Sequence, residues 1–449
     1  MAPISFAKLL LLLFCLSAAT AFAANTTQPA TATRPAATQK FSDLKSIQPR
    51  TALPNVGARL KYNGDVRIAF IGGSITAANA GWRTQTFEWL QAQYPRAKLT
   101  EINAAIGGTG SDLGAYRIKE QVLDNHPDLV FVEFAVNDAG ADPRTIRRSM
   151  EGMVRKIWKN DPTTDIVFVY TLTDAFEQIY QGGSFPKAVI ADEQVADHYG
   201  IPSIHLGLEV VQQVIDNQMV MKFPATPTPQ ETASLGKRKV FSNDGIHPLS
   251  DTGHKLYTDA ATAALKELLN TGKAGRHRTP APLEPDNLEN AKLISPEGHL
   301  SPGWTRVPGT HPTAAPFLRF TQQLWIASTP GETVTLHFKG TAVGIYDLIG
   351  PDTDQLLVQI DDQPAHLVRR FDHFCTYRRI SFTLFATDLK DAEHTLILTV
   401  PQGKQRIDKL DFLKKAGVKI LDPEPYMLFN TYISRLMVLG DEIVDQPNK

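Results

Sequence analysis

Four short blocks of this sequence hold residue types from which a nucleophile, a base and oxyanion donors could be assembled. The first is Gly72-Gly73-Ser74-Ile75-Thr76. A serine on a tight turn between a strand and a helix presents its hydroxyl at a sheet edge, beside the free N–H groups of the helix start. The same turn would also serve as a helix cap or a phosphate cradle. It is not the G-x-S-x-G elbow of α/β-hydrolases, because position 76 is Thr. The second block is Gly107-Gly108-Thr109-Gly110. Counted from Gly108, the last position of a G-x-G-x-x-G fingerprint is Leu113, and the block follows the second strand rather than the first, so a dinucleotide site is rejected. Glycine there either lets a backbone N–H come close to a ligand or only turns the chain. The third block is Phe134-Ala135-Val136-Asn137-Asp138, where an amide at a strand end could face a developing negative oxygen or could cap a turn. The fourth is Asp244-Gly245-Ile246-His247-Pro248. A carboxylate three residues before an imidazole can hold one ring nitrogen and leave the other to take a proton.

The D-x-x-H spacing recurs at Asp251/His254 and Asp391/His394, so spacing alone does not select a pair. Asp251/His254 falls on an expected helix, where His254 reads as a packing residue, and Asp391/His394 lies in a β-rich segment far along the chain from Ser74. No His/Cys/Glu cluster has metal-ligand spacing and there is no H-E-x-x-H, so neither a metal nor a cofactor is expected.

The elements that must position these blocks alternate. VRIAFIG (66–72), KLTEINAA, DLVFVEFA (128–135), DIVFVYT (165–171) and IPSIHL read as near-continuous apolar strands. Amphipathic stretches separate them: RTQTFEWLQAQYP, about 112–124, about 143–160 and about 187–199, with a closing Ala/Leu-rich helix over roughly 250–270. Such a pattern calls for a parallel sheet covered by helices on both faces, with ligands bound beyond the carboxyl ends of the strands. Residues 217–242 are long for a connection and read as a lid beside His247.

From about residue 288 the rhythm becomes β. ETVTLHFKG, TAVGIYDLIG, QLLVQIDDQ, RISFTLFATD and HTLILTVPQ are short alternating strands between Gly, Pro and Asp turns, which predicts a β-sandwich over 288–449. Pattern leaves its role open among binding sugar, packing on the first half and spacing it from a surface. Trp304, Trp325 and Tyr346 stand at alternating positions and read as core rather than as sugar platforms. Asn25 to about Pro54 is rich in Thr, Ala and Pro and reads as a flexible tether (24–54), and TGKAGRHRTPAPLEPDN reads as a linker (271–287).

The chain has 449 residues, 42% hydrophobic and 21% charged, with 46 Lys+Arg against 47 Asp+Glu. A formal charge of −1 offers no basic field for a nucleic acid. Lys8, the run LLLLLFCL and Ala21-Phe22-Ala23 read as a secretory signal peptide (1–23) cut after Ala23. The apolar run is short for a membrane span, and Leu12-Leu13-Phe14-Cys15 makes a poor lipoprotein signal. A secreted or periplasmic location follows. Cys375 is then the one remaining cysteine, so no intrachain disulfide is expected.

Taken in order, the four blocks resemble the SGNH hydrolase superfamily (GDSL-type esterases), in a GGSIT variant. The resemblance covers about residues 65–270 and implies a flavodoxin-like fold for the domain 55–270. It matches Ser74, Gly108, Asn137 and His247 with Asp244. It implies Ser74, Asp244 and His247 as the catalytic residues, and Ser74, Gly108 and Asn137 as the oxyanion hole. Two positions depart from the family pattern: Gly73 stands where Asp is usual, and Ala135 where the first Gly before the Asn is usual. An exported domain of this type joined to a β-sandwich is similar to carbohydrate O-acetylesterases, which implies an acetylated glycan as the partner. The β segment resembles galactose-binding-type sandwiches. A lipid esterase or thioesterase, an O-acetyltransferase and a non-catalytic carbohydrate-binding protein are the alternatives.

Overall fold

The computed structural model describes residues 40–444, so the expected leader and the first part of the expected tether lie outside the described residues. The first half is one six-stranded sheet. A short strand β1 (Ile47–Gln48) runs antiparallel to β6 (Ser203–His205). The strands β2 (Asp65–Gly72), β3 (Lys98–Asn103), β4 (Leu129–Glu133), β5 (Asp165–Tyr170) and β6 are parallel. Their order across the sheet is β1-β6-β5-β4-β2-β3, which for the parallel strands is the flavodoxin-like order with its switch point between β2 and β4. Every residue of β4 and β5 is buried, as strands covered on both faces require.

The helices are α1 (Pro54–Lys61), α2 (Ser74–Ala77), α3 (Trp82–Gln93), α4 (Ser111–Gln121), α5 (Pro143–Asn160), α6 (Asp174–Gln181), α7 (Lys187–Tyr199), α8 (Leu208–Ile215), α9 (Pro229–Leu235) and α10 (Gly253–Leu268). Helices α4, α5 and α7 pack side by side, and α3 packs on α10. Phe70 of β2 and Phe131 of β4 stack with centroids 4.7 Å apart, and Trp82 meets both edge-on, which seats the start of α3 on the sheet. The α5 boundaries follow local chemistry: the Asp142 carboxylate accepts the N–H groups of Arg144 and Thr145, and Pro143 takes the first helical position.

The second half is antiparallel. Its strands are β9 (Ala291–Ile294), β10 (Thr305–Arg306), β11 (Trp325–Ala327), β12 (Thr333–Ile349), β13 (Gln355–Ile360), β14 (His366–Arg369), β15 (Arg379–Ala386), β16 (Ala392–Thr399), β17 (Thr431–Ile433) and β18 (Arg435–Glu442). β12 is the spine of a seven-stranded sheet: β16 and then β15 pair along one side of it, and β18 along the other. ETVTLHFKG and TAVGIYDLIG, read as two strands, are one. A register shift at Gly340/Ala342 moves the inward face from Val334, Leu336 and Phe338 to Val343 and Ile345. Gly340 is needed there, since a Cβ would stand 2.2 Å from the Leu439 carbonyl oxygen. The small sheet β10-β11-β17 shares a core with these residues through Ala327 and Ile433, which makes a sandwich.

The outer face of the long sheet is not free. Ala342, Tyr346, Leu348, Met437 and Leu439 join the core of the α/β half. Gln121 of α4 donates to the Phe320 carbonyl at 3.0 Å, and Arg435 meets Glu120 at 3.1 Å. Of the roles left open, packing on the first half is therefore one the sandwich has. Trp304 and Tyr346 are buried and Trp325 is half-buried against the sandwich core, in line with their reading as core.

Two stretches expected to be unstructured are held by side chains that pattern did not weigh. The end of the expected tether pairs with β6, and Arg50 bonds Glu193 (2.7 Å) and Asp197 (2.6 Å) on α7. The expected linker lies along α5. His277 bonds Asp165 at 2.8 Å and stacks on Trp158, and the N–H groups of Leu283 and Glu284 donate to the buried Glu151 carboxylate. Gly and Pro there mark turns in an ordered strap rather than a free connection. Residues 217–242, expected as a lid, form β7 (Met219–Lys222), α9 and β8 (Lys239–Ser242), with β7 and β8 parallel. This excursion meets the loop of Asp244 through Ser242.

Candidate active site

β2 ends at Gly72, Gly73 follows as the residue before the short helix α2, and Ser74 is the first residue of that helix. Its Oγ lies 2.8 Å from His247 Nε2, although the two residues are 173 positions apart. On the other side of the ring, His247 Nδ1 lies 2.7 Å from Asp244 Oδ2. The second Asp244 oxygen accepts the N–H groups of Ile246 and His247 and the Ser242 hydroxyl, each at 2.8 Å. Burial disfavours the ionised carboxyl, but the hydrogen bonds from His247, Ile246 and Ser242 outweigh it and hold Asp244 well below the usual carboxylate range. An ionised Asp244 accepts from Nδ1–H, which leaves the Nε2 lone pair facing the Ser74 hydroxyl. The loop is fixed at Gly245, whose φ of +88° suits glycine and whose carbonyl accepts the Asp174 N–H at 2.9 Å.

The oxyanion candidates converge on the same spot. A Cβ on Gly107 would stand 3.5 Å from the Ser74 Cβ, so this loop passes directly over the serine. Gly108 has φ +73° with open space around it; its glycine answers to backbone conformation and not to crowding. Asn137 reaches across from the end of β4, and a Cβ on Gly73 would stand 1.9 Å from its Oδ1. The amide therefore lies on the bare Cα of residue 73. In this chain that contact leaves no room for a side chain at residue 73 unless the amide moves. Ala135, the other departure, is fully buried at the end of β4.

The structure brings Ser74, Gly108, Asn137, Asp244 and His247 together and leaves the other D-x-x-H pairs out. His254 is buried in α10, where its Nδ1 accepts the Trp82 N–H at 3.1 Å. His394 pairs with Asp361 rather than Asp391, on the β-sandwich. Cys375 is buried. Among the described residues no group of three His, Cys, Asp or Glu side chains could hold a metal ion, and no helix is long and apolar enough to cross a membrane.

Pattern reading missed the supports beneath the serine turn. Glu133, the last residue of β4, is buried and accepts the hydroxyls of Thr76 and Thr171, each at 2.7 Å. Burial pushes its carboxyl up, while those hydroxyls and the Gly73 N–H pull it back. A lone acid inside the apolar run DLVFVEFA was the signal available. Asp138, next to Asn137, accepts the Ser111 N–H at 3.0 Å and so ties the Asn137 loop to the start of α4. Burial pushes its carboxyl up to about 7; the Ser111 bonds oppose this and the nearby Asp112 and Glu133 add to it.

Asp244 and His247 are half exposed, with side chains 52% and 51% accessible, while Ser74 is half-buried. The arrangement is a serine–imidazole–carboxylate chain on an open sheet edge, flanked by the Gly107 loop and the Asn137 amide. Residues 70–256 match the model of the GDSL-like lipase/acylhydrolase family. Two crystal structures of a two-domain esterase active on acetylated mannans, one co-crystallized with mannopentaose, are similar in fold to this chain. Their TM-scores are 0.65 and 0.66 at 19% identity, over 89% of this chain and 98% of theirs. A comparison with curated proteins finds no match. Over residues 70–256 the chain is thus similar to the GDSL-like lipase/acylhydrolase family, and the protein is a carboxylic-ester hydrolase.

Proposed function

We propose that this protein is an exported serine esterase that removes O-acetyl groups from a carbohydrate polymer through an acyl-enzyme intermediate. The observation that carries the reading is the unbroken hydrogen-bond chain from Ser74 through His247 to Asp244, at the open carboxyl edge of the sheet. Ser74 Oγ attacks the acetyl carbonyl while His247 Nε2 takes its proton, and Asp244 stabilises the imidazolium. The N–H groups of Ser74 and Gly108, with the Asn137 amide, hold the oxyanion. The sugar hydroxyl departs with the proton from His247. A water activated by the same nitrogen then attacks the acetyl-serine, and acetate leaves.

The substrate class rests on three supports. The half-exposed Asp244 and His247 leave room for a polymer at the serine. The fold spans the same two-domain extent as an esterase active on acetylated mannans. The leader-like residues 1–23 suit a protein that meets polysaccharide outside the cytoplasm. Acetate release from a panel of acetylated mannan, xylan and bacterial glycans, run beside Ser74→Ala, tests the proposal. Release from at least one glycan that vanishes in the variant is expected. Fast turnover of long-chain p-nitrophenyl esters with none of the glycans would reject it.

A further inference from the structure

A buried arginine stands behind the two loops that carry the candidate oxyanion donors. Arg117 of α4 is fully buried, and its partners are neutral. Nη1 donates to the Ala104 carbonyl and, at 2.7 Å, to Gln121 Oε1, and Nη2 reaches the Gly72 carbonyl at 3.5 Å. Burial pulls the guanidinium down to about 10, and Tyr346 of β12 opposes this only in part. A cation sealed from water without a carboxylate is costly, and an apolar side chain of similar volume would fill the space more cheaply. The two carbonyls give the cation a purpose. Gly72 lies two residues before Ser74, and Ala104 lies three before Gly107. Past the end of β3, Ala104 N–H bonds Phe70 O (2.9 Å) and Ile106 N–H bonds Gly72 O (3.0 Å), and these hold the two strand ends together. The planar fork of Arg117 spans the same junction from the side.

We propose that Arg117 is a positioning residue for the esterase reaction: by tying the carbonyls of Gly72 and Ala104 it sets the separation between the Ser74 turn and the Gly108 loop. The proposal rests on the reading of Ser74 and Gly108 as nucleophile and oxyanion donor. It also gives the β-sandwich a part in activity. Gln121 holds Arg117 with its carbonyl oxygen and grips the Phe320 carbonyl with its amide, and Tyr346 of β12 lies near enough to act on the charge of the guanidinium. Lysine cannot replace this, since an ammonium lacks the fixed fork that meets two carbonyls in one plane.

The test measures kcat and KM on p-nitrophenyl acetate, with thermal unfolding, for Arg117→Met, Arg117→Lys and Gln121→Met in the full chain beside Ser74→Ala. Displacing an oxyanion loop by a fraction of an ångström costs rate rather than binding. Arg117→Met should therefore lose about 10–100-fold in kcat with KM within about twofold, while still unfolding cooperatively. Arg117→Lys should fall in between, and Gln121→Met should lose about 3–10-fold in the same manner. If Arg117→Met does not fold, the lysine and Gln121 variants decide by the same kcat signature. Folded variants with the native kcat, or a loss confined to KM, would overturn the positioning role. An active Ser74→Ala would overturn the site reading itself, whatever the arginine variants do.

Discussion

Gly73 and Asn137 are matched in size: the amide occupies the place where any side chain at residue 73 would stand. Asn137→Ala should lower kcat by about 10²–10³, as removal of one oxyanion donor typically does, with stability nearly unchanged because the residue is exposed. Steady-state rates on p-nitrophenyl acetate beside a thermal melt check both halves of that statement. Gly73→Ala should fold, because the amide can swing aside, yet lose rate comparably since the amide has left its place. The double variant should be little worse than either single one, because both remove the same donor. Additive losses would mean that Gly73 acts through something other than Asn137.

At the scale of elements, β4 supplies the switch point with an acid on either side of the Asn137 turn. Asp138 gives this turn a measurable pH signature. Its carboxyl titrates near 7 in the folded chain against an ordinary value of 3.8. Between about pH 4 and 7 the native state thus holds a proton that the unfolded chain has released, so this contribution to stability falls as pH rises and levels off above 7. Asp138→Asn keeps an acceptor for the Ser111 N–H and removes the titration. The variant should gain stability relative to the wild type from pH 4 to pH 8, read as the difference between paired melting curves. A pH-independent difference would contradict it. The four blocks and the strands that carry them were legible because apolar runs and strand-end glycines are local signals. Arg117 and the Gly73–Asn137 contact were not, since their meaning lies in partners far along the chain, and Glu133 showed only as an acid inside an apolar run. α6 and α8 were missed as well: both are amphipathic, but at eight residues each they are too short to be told from a connection by pattern.

At the scale of the whole molecule, the two halves share one apolar core, and the strap 271–290 is held by the buried Glu151 and by close contact between Leu288 and Gly152. A chain ending at residue 276 would lose the His277 bond to Asp165, the Ala291 carbonyl bonded by Lys156 and the apolar cover of α4. It should aggregate or melt without cooperativity by size exclusion and calorimetry, whereas a monodisperse, active fragment would show the sandwich to be dispensable. That dependence was hidden from pattern, which reads Pro and Gly as separators and cannot see which sheet face stays dry. The account as a whole turns on long-range closure, with Ser74 and His247 meeting across 173 positions. The most direct measurement is reaction of the full chain with diethyl p-nitrophenyl phosphate, followed by peptide mass mapping and residual-activity assay. The account predicts one phosphoryl adduct, on Ser74, formed in step with loss of activity and nearly absent in His247→Ala; inactivation by an adduct on another residue, or full activity with Ser74 modified, would contradict it.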